Sequence, residues 1–336
     1  MSEASAQRSL GRDGRVTSAL GVGTWAIGGP WTFNGLPTGW GEVDDDESIR
    51  MIHAAVDEGV RLFDTADCYG AGHSERVLGK ALQQLPAAVR QEVVVATKFG
   101  TVFDERTRSG GGEDVRPASI RQACRDSLSR LGVERIDLYQ LHGGVSTAAE
   151  ASEVVDVLHE LVEAGHVATI GTSSDAPEIQ AAFATSPHAK TVQSQVNVFG
   201  RSDAVLRAAT EHGFTVLSRS PLAMGLLTGK YDLTNRPSST DVRRNTPWWT
   251  YFDDEAMADW LKRLDQVREL LTDGGRTLVQ GCLSYLWGLH PNLVPLPGAR
   301  TVEQAVENAR AMSFGPLDPA VVRQVDDLLA DSPERN

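Results

Sequence analysis

The sequence predicts a single (β/α)₈ TIM barrel, and three observations carry that reading. Short apolar runs alternate with amphipathic segments along the chain without a break, eight such runs can be counted, and three of them close on a lone polar residue, Asp64, Lys98 or His142. Alternation of this kind describes a parallel sheet with helices on its faces, and eight units favour a closed barrel over an open sheet. Barrel active sites sit at the carboxyl ends of the strands, so these three groups, with Tyr69 just beyond Asp64, are expected to converge there.

The first strand falls within residues 15–25 and ends at Thr24 and Trp25. A loop with Trp31, Phe33 and Trp40 follows, suited either to a substrate wall or to packing on itself. Residues 44–59 read as a helix: acidic at the start, apolar at Ile49, Ile52, Ala55 and Val56, and stopped by Gly59. The run closing on Asp64 is the second strand. A helix over 74–82, a strand over 92–98, a helix over 118–131 and a strand over 136–142 continue the alternation. The second half repeats it, with helices over 147–164, after Asp175 and over 204–211, and strands over 166–172, 191–195 and 214–218. The eighth strand is 292–296, followed by a helix over 302–312 opened by Thr301 and another over 319–329.

Two long interruptions lie on the face that carries the polar strand ends. Residues 100–116, with Gly110, Gly111 and Gly112, read as a flexible polar loop, and residues 229–250, with Pro237, Ser238, Ser239, Trp248 and Trp249, as another. Loops of this length in such a position are expected to act as lids. Residues 1–14 are expected to be a disordered lead-in and 15–330 the barrel domain.

Composition narrows the function classes. At 336 residues, 41% hydrophobic and 23% charged, the chain can bury a large core. No apolar run approaches the ~20 residues of a membrane span. A net charge of −13 disfavours nucleic acid and anionic membrane, which leaves small molecules as the expected partners. The first residues lack the apolar core of a secretory signal, so a cytoplasmic location is expected. The three cysteines, Cys68, Cys124 and Cys282, form no Cys-x-x-Cys pair, so neither a disulfide framework nor a zinc site is indicated. Cys68 is expected to be a buried, inert thiol. The first strand is not followed by Gly-x-Gly-x-x-Gly, which argues against a Rossmann domain.

Taken together, the motifs resemble the aldo-keto reductase family from about Ser18 to Met312. That family's Asp, Tyr, Lys and His tetrad falls on Asp64, Tyr69, Lys98 and His142. Its helix-opening signature is matched between Gly70 and Gly79 by Ser74-Glu75 and Leu78-Gly79, and its strand-seven signature between Arg219 and Leu227 by Ser220-Pro221-Leu222 and Gly225-Leu226-Leu227. Its last motif is matched by Pro297-Gly298-Ala299-Arg300 with Glu307-Asn308. The chain departs from the commoner pattern at Arg219, Ser173-Ser174, Val196 and Gly143-Gly144.

The resemblance implies an NADPH-dependent oxidoreductase that reduces an aldehyde or ketone to an alcohol, without a metal. The nucleotide would lie extended across the barrel mouth. It would be held along its length by Thr24, Trp25, Ser173, Gln193, Arg219, Ser220, Leu222, Gly225, Gly298, Arg300, Gln304 and Asn308. Tyr69 would be the general acid. A free phenol has a pKa of about 10, and the Lys98 ammonium is expected to lower it while Asp64 keeps Lys98 charged. His142 would orient the substrate carbonyl. Two other classes stay open: a catalytically weak NADPH-binding regulatory barrel, and a lyase or isomerase using Lys98 as a Schiff base.

Overall fold

In the computed structural model, which describes residues 7–12, 14–238 and 241–335, eight parallel strands form one sheet in chain order. They are β1 (Gly21–Gly23), β2 (Leu62–Asp64), β3 (Val94–Phe99), β4 (Ile136–Leu141), β5 (Val167–Thr172), β6 (Ala189–Gln195), β7 (Thr215–Arg219) and β8 (Leu293–Pro295). The first and last strands meet through a parallel bridge of Gly23 with Gly298 and a 3.1 Å bond from Gly23 N to Pro297 O, which brings the sheet round into a nearly closed barrel. Helices α1 (Asp45–Asp57), α2 (His73–Gln83), α3 (Pro117–Leu131), α4 (Ala148–Glu163), α5 (Pro177–Ala184), α6 (Asp203–His212), α7 (Leu278–Leu289) and α8 (Val302–Arg310) follow the strands in turn.

Five of these eight helices begin at a side-chain cap, supplied by Asp44, Thr147, Ser202, Thr277 and Thr301, and α3 and α5 open on a proline instead. The Asp44 carboxylate accepts from Glu47 N, and Thr147 with Glu150, like Thr277 with Gln280, forms a reciprocal capping box. Period-two alternation then sorts the strands. Leu62, Val94, Ala96, Leu138, Leu217 and Val294 fill the barrel interior, while Phe63, Val95, Tyr139, Val216 and Leu293 pack outward under the helices. The same inward positions carried one layer higher are Asp64, Lys98, Gln140 and Gln193, so a polar layer caps an apolar one.

Several expectations need correction. Within the expected lead-in, Gln7–Ser9 pairs antiparallel with Val16–Ser18, and Leu10 plugs the interior cluster from below. The disorder expected for residues 1–6 and 13 falls outside the described residues. The run 15–25 is therefore divided between this hairpin and β1. Residues 100–116 are not a loose loop: Thr101–Asp104 and Ser109–Glu113 form a hairpin that extends through Thr32–Phe33 to Leu36–Pro37 as a four-stranded sheet. Glycine there serves close approach, since a Cβ on Gly110 would sit 2.8 Å from Val102 O. Strand 92–98 begins late because residues up to Glu92 complete a short helix, Ala87–Glu92. Between β7 and β8 the chain holds two helices the sequence reading omitted, Met257–Thr272 and α7. The first buries Met257, Trp260, Leu264, Val267 and Leu271, a spacing of three and four.

Candidate active site

The polar layer is built around a fully buried ammonium. Lys98 Nζ donates to Asp64 Oδ2 at 2.5 Å, to Thr65 O at 2.7 Å and to Tyr69 OH at 3.3 Å. The other carboxylate oxygen of Asp64 accepts from Gln140 Nε2 at 2.9 Å and Gln193 Nε2 at 3.0 Å. Both carboxylate oxygens thus face donors, as a buried charge requires. Gln140 escaped the sequence reading, although a polar side chain inside the apolar run Ile136–Leu141 was the available signal.

Tyr69 stands above Lys98 and faces the cleft. Its ring stacks on Trp25 (centroids 5.7 Å apart, planes at 20°) and meets the His142 ring edge-on at 5.8 Å. An ammonium has only donors, so the Tyr69 oxygen accepts from Lys98 and its own proton is directed elsewhere. Burial pushes the phenol up to about 12, and the Lys98 ammonium offsets only part of that rise. The expected lowering is therefore reversed: desolvation outweighs the adjacent cation. For Lys98 burial acts downward, but the Asp64 carboxylate and Tyr69 more than compensate, and its pKa is raised. His142 is lowered to about 3 by burial, with Lys98 and Arg219 adding like-charge repulsion, so the imidazole is neutral. Its Nδ1 lies 3.8 Å from Cys68 Sγ, whose thiol burial keeps protonated.

A cleft of about 1060 Å³ runs from this group across the barrel mouth. Aromatic walls come from Trp25, Trp31, Phe33, Trp40, Trp248 and Trp249. Along the cleft lie Ser173, Gln193, Arg219, Ser220, Leu222, Gly225, Gly298, Arg300, Gln304 and Asn308. Thr24 does not line it. It is fully buried behind Trp25, donating to Asp64 O at 3.1 Å and accepting from Ser74 Oγ at 2.8 Å, so its role is to hold β1 to β2 and α2. Gln193 reaches the cleft and donates its amide N–H to Asp64 Oδ1 at 3.0 Å. Arg219 donates to Asp175 Oδ2 at 2.6 Å. The loop after β7 turns through left-handed backbone at Ser220 (φ 51°), Ala223 (φ 46°), Met224 (φ 56°) and Gly225 (φ 98°).

The segment 229–250, apart from residues 239–240 outside the description, is held down by Arg243. That guanidinium pairs with Asp241 at 2.6 Å, lies 4.6 Å from the centroid of the Trp40 ring, and donates to Tyr231 OH at 2.8 Å. Val242 N also donates to Gly39 O at 3.1 Å. On the far side Arg300 donates to Trp40 O at 2.9 Å and to Glu42 O. Loops after β1, β7 and β8 therefore meet over the cleft.

The lining fits a dinucleotide. The indole N–H groups of Trp25 and Trp40 are buried on the cleft wall without a partner. Gly225 and Gly298 leave the wall bare where a Cβ would meet nothing nearer than 3.5 Å.

Comparison with known proteins gives the same picture. The sequence model of the Aldo/keto reductase family matches residues 19–330. An aldo-keto reductase of Bacillus subtilis is 32% identical over 87% of this chain and 84% of its own length. A protein of Escherichia coli named NADH-specific methylglyoxal reductase is 30% identical over 95% of this chain and 98% of its own. Among solved structures, the glycerol dehydrogenase of Gluconobacter oxydans superposes with a TM-score of 0.82 and 34% identity, covering 99% of this chain and 98% of that one.

Proposed function

The chain belongs to the aldo-keto reductase family, NAD(P)-dependent oxidoreductases of carbonyl groups, and from that premise we propose that it reduces a small aldehyde or ketone with NADPH, Tyr69 acting as the general acid. One observation carries the assignment: the Lys98 ammonium, buried and spent on Asp64, Thr65 O and Tyr69 OH, leaves the phenolic proton of Tyr69 as the one presented to the cleft.

When bound, the reduced nicotinamide supplies a hydride to the carbonyl carbon. The protein's own residues manage the oxygen. Tyr69 donates its proton to that oxygen as negative charge develops, and Lys98, hydrogen-bonded to the phenol oxygen, stabilises the phenolate left behind. Asp64 holds the ammonium in place, and Gln140 and Gln193 hold Asp64. A protonated Cys68 thiol offers His142 Nδ1 a weak donor, which leaves the ring N–H on Nε2 to orient the carbonyl. Trp25, stacked on Tyr69, excludes water from the transfer.

The cofactor's nicotinamide end is assigned to Ser173, Gln193, Trp25 and Arg219, its pyrophosphate to Ser220, Leu222 and Gly225, and its adenosine end to Gly298, Arg300, Gln304 and Asn308. Cofactor choice differs among relatives, since the Escherichia coli relative is named NADH-specific. The geometry opposes a Schiff base at Lys98: a charged, fully buried amine with three hydrogen-bond partners is neither nucleophilic nor reachable.

The test is a panel of small aldehydes, ketones and hydroxy-carbonyls assayed for loss of reduced-nicotinamide absorbance with NADPH and with NADH. Carbonyl-dependent oxidation that disappears in Tyr69→Phe supports the proposal. A substrate adduct trapped on Lys98 by borohydride, with no nicotinamide oxidation, overturns it.

A further inference from the structure

At the adenosine end of the cleft, helix α8 presents the N–H groups of its first turn. A helix N-terminus of this kind is a natural seat for an anion. Here the seat already holds one. Val302 N donates to Glu47 Oε1 at 3.2 Å, reaching across from the first turn of α1, while Glu47 Oε2 pairs with Arg50 at 2.7 Å. Beside it Arg300 N donates to Gln304 Oε1 at 2.9 Å, and the Arg300 guanidinium is tied to the carbonyls of Trp40 and Glu42. Glu47, Arg300 and Gln304 all line the cleft, so a fixed negative charge and a fixed positive charge flank the same helix end.

We propose that Glu47 is a specificity-determining residue for the cofactor: its carboxylate competes with a ribose 2′-phosphate for the N-terminus of α8 and so restrains the preference for NADPH over NADH. The proposal rests on the reading that the adenosine end of the nucleotide lies at α8. A phosphate entering this site gains Arg300 but meets Glu47, whereas a ribose hydroxyl can donate to the same carboxylate. The two residues act with opposite sign on one discriminating group.

Glu47→Gln isolates the charge, because the amide oxygen still accepts from Val302 N and only an exposed pair with Arg50 is lost. Asp46→Asn is the control, making the same charge change one residue away on a side chain that does not line the cleft. Equilibrium titration of each protein with NADP⁺, NAD⁺, 2′,5′-ADP and 5′-AMP reads the effect without turnover. In Glu47→Gln, NADP⁺ and 2′,5′-ADP should tighten about five- to tenfold, the scale expected for one like charge a few ångströms away in a wet site. NAD⁺ and 5′-AMP should stay level or weaken, and Asp46→Asn should leave the ratio between the two cofactors as in the parent. An unchanged ratio in Glu47→Gln, or an equal shift in both variants, overturns the proposal while leaving the reductase reading intact. A parent protein that binds neither nucleotide overturns both.

Discussion

Asp64→Asn tests the polar layer at its most stressed point. The substitution keeps volume and shape but places an amide where a carboxylate faced the Lys98 ammonium at 2.5 Å. Asn can still accept from Gln140 and Gln193 through its oxygen, which turns its NH₂ toward the ammonium, donor against donor. The charge is then buried with Thr65 O and Tyr69 OH as its remaining partners. Removing one member of a buried ion pair costs about 3–5 kcal/mol, mostly because the other charge is stranded. Urea unfolding at neutral pH should register a loss of that size. Lys98→Met should cost a similar amount, and the double variant clearly less than the two losses added, since neither charge then remains. The pH dependence has a definite sign. The folded pKa of Lys98 is raised above its ordinary 10.5, so the pair's contribution is complete below that value and is lost as pH climbs through the folded pKa. The difference between parent and Asp64→Asn should therefore be flat from about pH 6 to 9 and narrow in strong alkali. Turnover should fall too, because an ammonium no longer anchored by Asp64 is held less firmly against the Tyr69 oxygen and stabilises its phenolate less. An Asp64→Asn protein within about 1 kcal/mol of the parent, or strictly additive losses, would refute the argument.

Further outcomes are expected at three residues. Tyr69→Phe should lower kcat by about 10²–10⁴ while the NADPH dissociation constant stays within about twofold, measured by steady-state kinetics and fluorescence titration; loss of nucleotide binding instead would assign the ring a packing role. Because His142 titrates at about 3, the pH profile of kcat should carry no inflection near the ordinary 6.5, and activity should decline only as alkali approaches the value of about 12 for Tyr69. For the same reason His142 should cost the fold stability as pH drops below 6.5, where the unfolded chain takes up a proton the folded one refuses; a kcat inflection near 6.5 that vanishes in His142→Gln, or a stability profile in which His142→Gln removes no acid loss, contradicts the neutral imidazole. Arg300→Ala should weaken NADPH about ten- to a hundredfold and NADH little, as expected for one charge-assisted contact. It should also speed hydrogen exchange over residues 40–42, whose carbonyls it tethers; equal weakening of both nucleotides would remove it from the phosphate site.

The sequence by itself determined the barrel, its strand order and the residues that end three of its strands. Hydrophobic periodicity is local, and a polar residue closing an apolar run stands out before any fold is known. Motif resemblance added the cofactor's path, yet it assigned Thr24 to the nucleotide when burial turns that hydroxyl toward Asp64 O and Ser74. Local pattern also held the helix Met257–Thr272, whose spacing of Met257, Trp260, Leu264, Val267 and Leu271 was legible and went unread. Other features belong to the tertiary structure alone. The glycine-rich residues 100–116 form a hairpin docked on Thr32–Phe33, a pairing supplied by a segment far away in the chain. The direction of the Tyr69 shift depended on how deeply the phenol is buried against how near Lys98 lies, two distances that no sequence spacing contains. Arg243 over Trp40, Arg300 on the Trp40 and Glu42 carbonyls, and Glu47 on the end of α8 each join residues remote in sequence. Such contacts arise only when the barrel brings loops from different strands to one face, because charge and hydrogen bonding act through space and not along the chain.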